Sequence, residues 1–426
     1  MLSQYDVIVV GGGTAGVIAA IQAGRAGAAT LLVEKNAMLG GTITVGGISV
    51  PAHFFAWGEQ IIGGIGWELV RKTLEETGRP VPTGEYTRNN GEPRHIAIDR
   101  TIFATLCDEA VLDAGVHLLF HAMLAKVTFK NGRWTVGICT KSGLKEVQAK
   151  ILIDATGDAN AVSLAGFDVV RSEVIQPASL QTRCSGYDKE TLDYTALKAA
   201  SERSIAAGEL KTTDISWNDS GPERLLRAQG GSSNHVRAPQ AETSEGKSAA
   251  EVEARRGVLR MYRFFRKQPG LENFQIDYIC SEVGIRETVT IKGKKTMKVQ
   301  DYESGKAYED SVCYAFYQID AHLDDGKGIN KRQLRRNVLP TIPRGAMLPA
   351  DSRSLIVAGR CIASDQETNS AVRVQCPCMA MGQAAGAMAA ISARTGVDPE
   401  ELALEDVYAL LREHGAIMPG DIKIPC

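Results

Sequence analysis

The first 35 residues leave this chain few folds to choose from. Tyr5-Asp6-Val7-Ile8-Val9-Val10 is an apolar, β-branched run of the kind buried on both faces of a parallel sheet. It ends in Gly11-x-Gly13-x-x-Gly16, and the small residues Val17 to Ala23 predict a helix directly behind the glycines. Ala29-Thr30-Leu31-Leu32-Val33 predicts a second strand, closed by Glu34. Strand, glycine turn, helix, strand and terminal acid, in that order, make a dinucleotide-binding fingerprint in its proper context. Gly11 permits the tight turn, and Gly13, with Thr14 and Ala15 at the helix start, lets backbone approach a pyrophosphate. Gly16 lets the helix pack on its strand. The unpaired N–H groups of the first helical turn attract phosphate. Glu34 is placed to accept hydrogen bonds from ribose hydroxyls and to repel a 2′-phosphate. The competing reading is a glycine-rich strand-to-helix turn that binds nothing.

A chain of 426 residues is long enough for about two or three domains with large cores. A net charge of −2 offers no electrostatic case for nucleic acid or an anionic membrane, and no apolar stretch reaches spanning length. The nine cysteines are scattered without CxxC pairs, so neither a metal site nor an iron–sulfur centre is expected. With the first strand begun by Tyr5, no room is left for a signal peptide, and a cytoplasmic protein with reduced thiols is expected.

Beyond Glu34 and Lys35, Met38-Leu39-Gly40-Gly41-Thr42 and the glycines that follow predict a loop pressed against the ligand, or a flexible connector. Residues 48–95 read as an inserted loop region. Their Gly63-Gly64-Ile65-Gly66 lacks the strand and acid of a second nucleotide site. A helix is predicted over 99–115, then strands over 116–120, 125–129, 134–138 and 147–153, with hairpin turns at Asn131-Gly132 and Ser142-Gly143: a β-meander inserted in the dinucleotide-binding domain. Ile151-Leu152-Ile153-Asp154-Ala155-Thr156-Gly157-Asp158 brings the chain back to the same sheet edge, as a second pass over phosphate or an ordinary turn.

Residues 187–339 change character. A strand over 179–185 leads into a charged helical stretch near 188–208, a polar loop near 218–233, a basic amphipathic helix over 249–267, and strands over 274–280 and 312–317. This is read as a separate substrate or cap domain. Residues 354–360 form a buried strand ending at Gly359-Arg360. Residues 377–393 form a small-residue helix whose N-terminus, just after Arg373, offers positive potential to an anion. A tail helix is predicted over 399–415. The divisions expected are residues 1–186 and 340–426 for the dinucleotide-binding domain and 187–339 for the cap, an α/β fold overall.

Taken in order, the fingerprint with Glu34, Gly40-Gly41-Thr42, Asp154-Ala155-Thr156-Gly157-Asp158, Gly284-Ile285-Arg286-Glu287-Thr288, Ile319-Asp320-Ala321-His322, Ile342-Pro343-Arg344-Gly345, Val357-Ala358-Gly359-Arg360 and Val372-Arg373-Val374 through Gly386 resemble the bacterial FAD-dependent oxidoreductases of the glutathione-reductase-like flavoprotein superfamily. The likeness runs from the first strand to the last helix and is specific for the family, not for a substrate. It implies FAD and a Rossmann-like, glutathione-reductase-type domain split around a mixed α+β cap. It implies that Gly11, Gly13, Thr14, Ala15 and Gly16 meet the pyrophosphate, that Glu34 and Lys35 lie at the ribose, and that Leu124 presents backbone to adenine. Gly40, Gly41 and Thr42 would line the pyrophosphate and ribityl chain, Ala155, Gly157 and Asp158 the phosphate side, and Gly359 and Arg360 the ribityl chain or pyrophosphate. Arg373, Val374 and Cys376 would face the flavin pyrimidine edge. Two positions depart from the pattern: Arg360 stands where relatives often carry Asp, and Gln366 where the family often has His.

The chemistry expected is transfer of a hydride from a small polar substrate, carboxylate- or hydroxyl-bearing, to FAD. The candidates for substrate handling are His322 as a base, a role worth about 10²–10⁴-fold, with Arg286 and Arg344 as carboxylate clamps and Arg373 at the reduced flavin. His53 is a weaker candidate. An acidic loop follows His322. Cys376-Pro377-Cys378 reads as packed thiols rather than a redox pair. Two other readings stay open: an electron-transfer or reductase subunit reduced by a partner, and a non-redox nucleotide-binding protein on the same fold. Electron acceptor and self-association, a homo-oligomer included, do not follow from the sequence.

Overall fold

The structure, a computed structural model, describes residues 2–83, 95–323 and 328–422. Part of the expected loop region 48–95, the acidic residues after Leu323 and Cys426 lie outside them.

The Val- and Ile-rich runs form the middle of a seven-stranded sheet. Its order is His117–Leu119, Thr30–Val33, Gln4–Val10, Gly143–Asp154, Arg133–Thr140, Met123–Lys130, with Leu355–Val357 also pairing onto Gly143–Asp154. Gln4–Val10 is parallel to both neighbours, and its residues Val7 to Val10 are buried, as a strand covered on both faces requires. Gly143–Asp154 has two roles. Its first half closes the antiparallel meander against Arg133–Thr140, and its second half runs parallel to Gln4–Val10. The turn between Met123–Lys130 and Arg133–Thr140 puts both Asn131 and Gly132 at positive φ, the conformation that residue pair favours in a tight hairpin.

Two helices cover one another behind the sheet. Thr14–Arg25 packs on Gln375–Thr395, which is buried along nearly its whole length. The contact is close because Gly382 and Gly386 face Ala15 and Ala19. A Cβ at Gly382 would lie 2.2 Å from the Ala15 carbonyl oxygen, and one at Gly386 2.3 Å from that of Ala19. Gly382→Val is therefore expected to destabilise the fold by about 3 kcal/mol through overpacking against backbone, seen as an earlier urea midpoint with an unchanged slope.

The region 48–95 is not simply a loop. Gly63-Gly64 opens a helix, Gly64–Glu76, because a Cβ at Gly66 would meet Met379 at 2.6 Å and the side chain of Gln383 accepts from the Ile65 N–H at 3.1 Å. The second glycine cluster thus serves helix packing. Other expected helices move their ends: 249–267 becomes Ser244–Phe265 and 377–393 becomes Gln375–Thr395. The stretch 188–208 becomes Tyr194–Ala206, because the Asp193 carboxylate caps the Ala196 N–H at 2.9 Å, and the tail 399–415 becomes Leu404–Glu413.

The main core spans the sheet, the two packed helices and also residues such as Val289, Val312, Ile319 and Ile342. Two smaller clusters form apart from it, one around Leu197, Leu226, Phe265 and Phe274, the other around Ala178, Leu180, Val236 and Ala254. Among the described residues no helix is long and apolar enough to cross a membrane.

Candidate functional site

The parallel strands end at one level. Val10 pairs with Val33 and Asp154, Val33 with Leu119, and Val357 with Asp154. Gly11, Glu34, Ala155 and Ala358 therefore follow side by side. Strand order reverses at Gln4–Val10, and the crevice at such a reversal is where open α/β sheets bind ligands. Gly11 has φ +99°, and a Cβ there would lie 2.5 Å from the Ala155 carbonyl oxygen. At Gly16 it would lie 1.8 Å from the Gly11 carbonyl oxygen. Gly13 differs: its nearest obstacle would be the Gly41 Cα at 4.0 Å. Packing requires Gly11 and Gly16, whereas the vacant side of Gly13 leaves room for a ligand.

The loop after Glu34 folds back over this turn. The Gly40 N–H donates to the Gly12 carbonyl at 2.9 Å, and Thr14 Oγ1 donates to the Gly40 carbonyl at 3.4 Å. Gly41 sits against Gly13, and Thr42 is exposed. The Glu34 carboxylate is buried and accepts the Gly12 and Asn36 N–H groups at 2.7 and 2.8 Å. Burial raises its pKa in spite of them. The Ala122 N–H donates to the Glu34 carbonyl at 3.1 Å, which starts the strand carrying Leu124 beside the acid. Lys35 pairs with Glu282.

Gly359, at φ +101°, stands over Ala15. The next side chain, Arg360, turns to protein acceptors: the Gly157 carbonyl at 2.8 Å, the Asp158 carboxylate at 2.5 Å and the Ile285 carbonyl at 2.6 Å. Thr288 Oγ1 also donates to Asp158, at 3.0 Å. The guanidinium, expected at the ribityl chain or pyrophosphate, also clamps segment 285–288 against the second glycine turn.

That clamp delivers Arg286 to a polar cluster. Arg286 Nη1 donates to the Pro177 carbonyl at 2.7 Å and to Ser179 Oγ at 3.0 Å. Arg373 Nη2 donates to Gln176 Oε1 and to the Asp320 carbonyl, both at 3.2 Å. Gln176 Oε1 also accepts the His322 N–H at 3.1 Å. The His322 ring sits between Asp320, whose carboxylate is 3.4 Å from Nε2, and His235, whose Nε2 is 2.8 Å from Nδ1. Gln176 is fixed by the buried Glu287 carboxylate, which also accepts from Ser172 Oγ at 2.7 Å and Gln366 Nε2 at 3.0 Å. Gln366 thus belongs to the support of this cluster.

Three of the four expected substrate-handling residues, Arg286, His322 and Arg373, come together. Arg344 does not: it donates to the Leu402 carbonyl at 2.7 Å, because its own N–H is tied to the Asp310 carbonyl at 2.7 Å in a short 3-10 turn. His53 lies outside the cluster, stacked on Tyr317 with centroids 5.4 Å apart. Cys376 and Cys378 are buried, and the described cysteines form no disulfide.

Residues 6–411 match the FAD dependent oxidoreductase family. The chain belongs to that family. Its cofactor is FAD. Among curated relatives it is 25% identical over 214 residues to digeranylgeranylglycerophospholipid reductase of Methanoculleus marisnigri, covering 46% of this chain and 48% of that protein. It is 28% identical over 172 residues to thiamine thiazole synthase of Methanococcus vannielii, covering 38% of this chain and 60% of that protein. The chain therefore spans about half the length of the curated relatives it matches. A solved geranylgeranyl bacteriochlorophyll reductase-like protein from Thermoplasma acidophilum covers 96% of this chain and 83% of its own at 14% identity, with a TM-score of 0.43, a likeness that decides nothing by itself.

The residues present fit FAD. The open side of Gly13, the helix Thr14–Arg25 with no side-chain cap and the Glu34 carboxylate suit a diphosphate and a ribose. At the other end, helix Gln375–Thr395 also begins without a side-chain cap. Beside it, Arg373 Nε and Gln375 Oε1 are buried atoms with no hydrogen-bond partner among the described residues. An orphaned donor and acceptor of this kind match the polar edge of an isoalloxazine.

The cluster is electrostatically unusual. Among the described residues, every hydrogen bond of the Arg286 and Arg373 guanidiniums runs to a neutral oxygen. Burial pulls Arg286 down to about 9, with the Arg373 charge adding to it, and burial lowers Arg373 too. Burial takes His235 down to about 3, with Arg286 and His322 contributing, and takes His322 down to about 4 against the opposing pull of Asp320. Both histidines are neutral when folded, whereas unfolded they take up protons near pH 6.5. The folded pKa values lie below the unfolded ones, so this stability is present above about pH 6.5 and is lost as pH falls toward 4. The loss is about 1.4 kcal/mol per pH unit for each histidine. Urea titrations of the FAD-loaded protein from neutral pH downward are expected to show that slope, and His322→Gln to flatten it.

Sequence reasoning found neither His235 nor Gln176. His235 follows a polar loop with no local motif, and Gln176 lies between two expected strands. No spacing within the chain marks either residue.

Proposed function

We propose that this protein oxidises a small, carboxylate-bearing alcohol or amine. FAD, when bound, supplies the hydride acceptor. On this reading, FAD lies in a glutathione-reductase-type domain formed by residues 1–186 and 340–426, and residues 187–339 close the substrate site as a cap. The separate hydrophobic clusters around Phe265 and Val236 support a unit apart over the first part of that span, whereas its later residues, Val289 to Leu334, pack into the main core.

One observation carries the reading: two part-buried guanidiniums, Arg286 and Arg373, meet only neutral acceptors beside an uncapped helix start. Asp320 acts on both guanidiniums, and Glu287 on Arg373, without a hydrogen bond to either, and a ligand carboxylate would add a directly paired charge through charge-assisted hydrogen bonds. Arg373 and the first turn of Gln375–Thr395 would also stabilise negative charge that develops on two-electron reduction. The histidines are neutral, so each ring has a nitrogen lone pair. The Arg360 clamp and Glu287 keep these groups in place.

The test is anaerobic mixing of the FAD-loaded protein with 2-hydroxy acids, amino acids, sugars and simple amines, following loss of the flavin's visible absorption. Bleaching is expected from carboxylate-bearing members alone. Bleaching by neutral sugars or simple amines, with none from the acids, would sink the assignment.

A further inference from the structure

His322 stands at the middle of a chain of polar groups, not at its end. Its Nε2 faces the Asp320 carboxylate at 3.4 Å and its Nδ1 faces His235 Nε2 at 2.8 Å, so both ring nitrogens are engaged by protein. A carboxylate takes only a donor, which puts the His322 proton on Nε2 and leaves Nδ1 a lone pair. His235 must then donate from Nε2, and its own Nδ1 carries the lone pair. That Nδ1 is buried and makes no hydrogen bond of good geometry among the described residues.

We infer that His235 is the base that meets the substrate, with His322 and Asp320 as positioning residues behind it. This rests on the oxidation proposed above. The surroundings suit the role. Trp217 stacks on the His235 ring at 6.2 Å and 22° and meets the His322 ring edge-on at 5.6 Å, fixing both planes. Ser179 Oγ accepts from Arg286 and donates to the Asn234 carbonyl, so the guanidinium assigned to the substrate carboxylate is tied to the residue beside His235. Burial, with the nearby Arg286 charge, keeps the pair unprotonated, while Asp320 behind His322 favours the proton once it arrives. In the step itself the substrate's O–H or N–H proton passes to His235 Nδ1. The hydrogen and electron pair of its C–H bond leave as hydride for FAD, and the C–O or C–N single bond becomes double. The imidazolium charge formed is shared through His322 with Asp320.

The Leu323 carbonyl lies near the His235 ring and favours a proton there, which defines the rival arrangement: Nδ1–H toward Leu323 and a relay running the other way. Long-range proton–nitrogen NMR of FAD-loaded protein labelled at histidine separates the two. Both His235 and His322 are expected as Nε2–H tautomers near neutral pH, whereas an Nδ1–H tautomer at His235 overturns the inference. In a second arm, flavin reduction by glycolate, lactate, malate, glycine and glutamate is timed in His235→Gln, His322→Gln and Asp320→Asn. His235→Gln is expected to slow it by about 10²–10⁴-fold with bound FAD retained. The other two are expected to lose less and to scramble the His235 tautomer. A rate in His235→Gln within about threefold of the parent, with His322→Gln inactive, also overturns it. If none of the five acids reduces the flavin, the proposed oxidation fails, and the NMR result alone decides which histidine ends the relay.

Discussion

Gly13→Ala is expected to fold as the parent does and to lose FAD, whereas Gly16→Ala is expected to lose both fold and FAD. The difference lies in what each new methyl meets. At Gly16 a Cβ would sit 1.8 Å from the Gly11 carbonyl oxygen and 3.0 Å from the Ala155 Cβ, contacts that only a backbone shift of the first helix can relieve. Such overpacking costs about 3 kcal/mol and moves the turn itself. At Gly13 the nearest atom is 4.0 Å away and φ is −74°, which any residue adopts, so the free protein pays nothing for the methyl. The methyl projects into an open side of the turn, where a diphosphate would approach the helix N-terminus. A ten- to hundredfold weaker FAD affinity, about 1.4–2.7 kcal/mol, is expected. The ratio of flavin to protein absorbance after gel filtration, and urea midpoints of the flavin-free proteins, measure the two effects separately. Equal FAD content in parent and Gly13→Ala would place the diphosphate elsewhere.

Replacing Arg373 by Met is expected to slow flavin reduction by about 10²–10³-fold, the usual consequence of removing one preorganised donor from developing negative charge. Stability is expected to change little, for two opposed reasons. The substitution leaves Gln176 Oε1 without one of its two donors and the Asp320 carbonyl without its Arg373 donor, which costs about 1–3 kcal/mol. It also removes a part-buried charge that makes no hydrogen bond to a carboxylate among the described residues, which offsets that cost. A second readout follows from the charge: the two-electron potential of the flavin should fall by about 30 mV or more, each 30 mV being tenfold in that equilibrium. Arg373→Lys should recover part of the potential and less of the rate, because an ammonium restores charge without the planar fork. An unchanged potential in Arg373→Met would remove Arg373 from the flavin's neighbourhood.

The fingerprint was legible because its parts are local. Gly11, Gly13, Gly16 and Glu34 lie within one strand–helix–strand unit, where a run of apolar residues and the spacing of three glycines fix the geometry almost unaided. The meander was legible for the same reason, since Asn131-Gly132 dictates its own turn. The helix at Gly64 was not, because its glycines answer to Met379 and Gln383, more than 300 positions away in a chain of 426 residues. Arg344 and Arg286 look alike as basic residues beside glycines. Only the path of the backbone sends one to the C-terminal segment and the other into the cluster.

By itself the amino-acid order determined that a diphosphate-binding α/β sheet would form, because strand period, turn glycines and the closing acid act over a few residues each. The tertiary structure alone decided the polar cluster. Gln176, His235, Arg286, Asp320, His322 and Arg373 come from five separate stretches of chain and share no spacing. Their protonation and partners arise from burial and mutual distance, quantities that exist only once the chain has closed on itself.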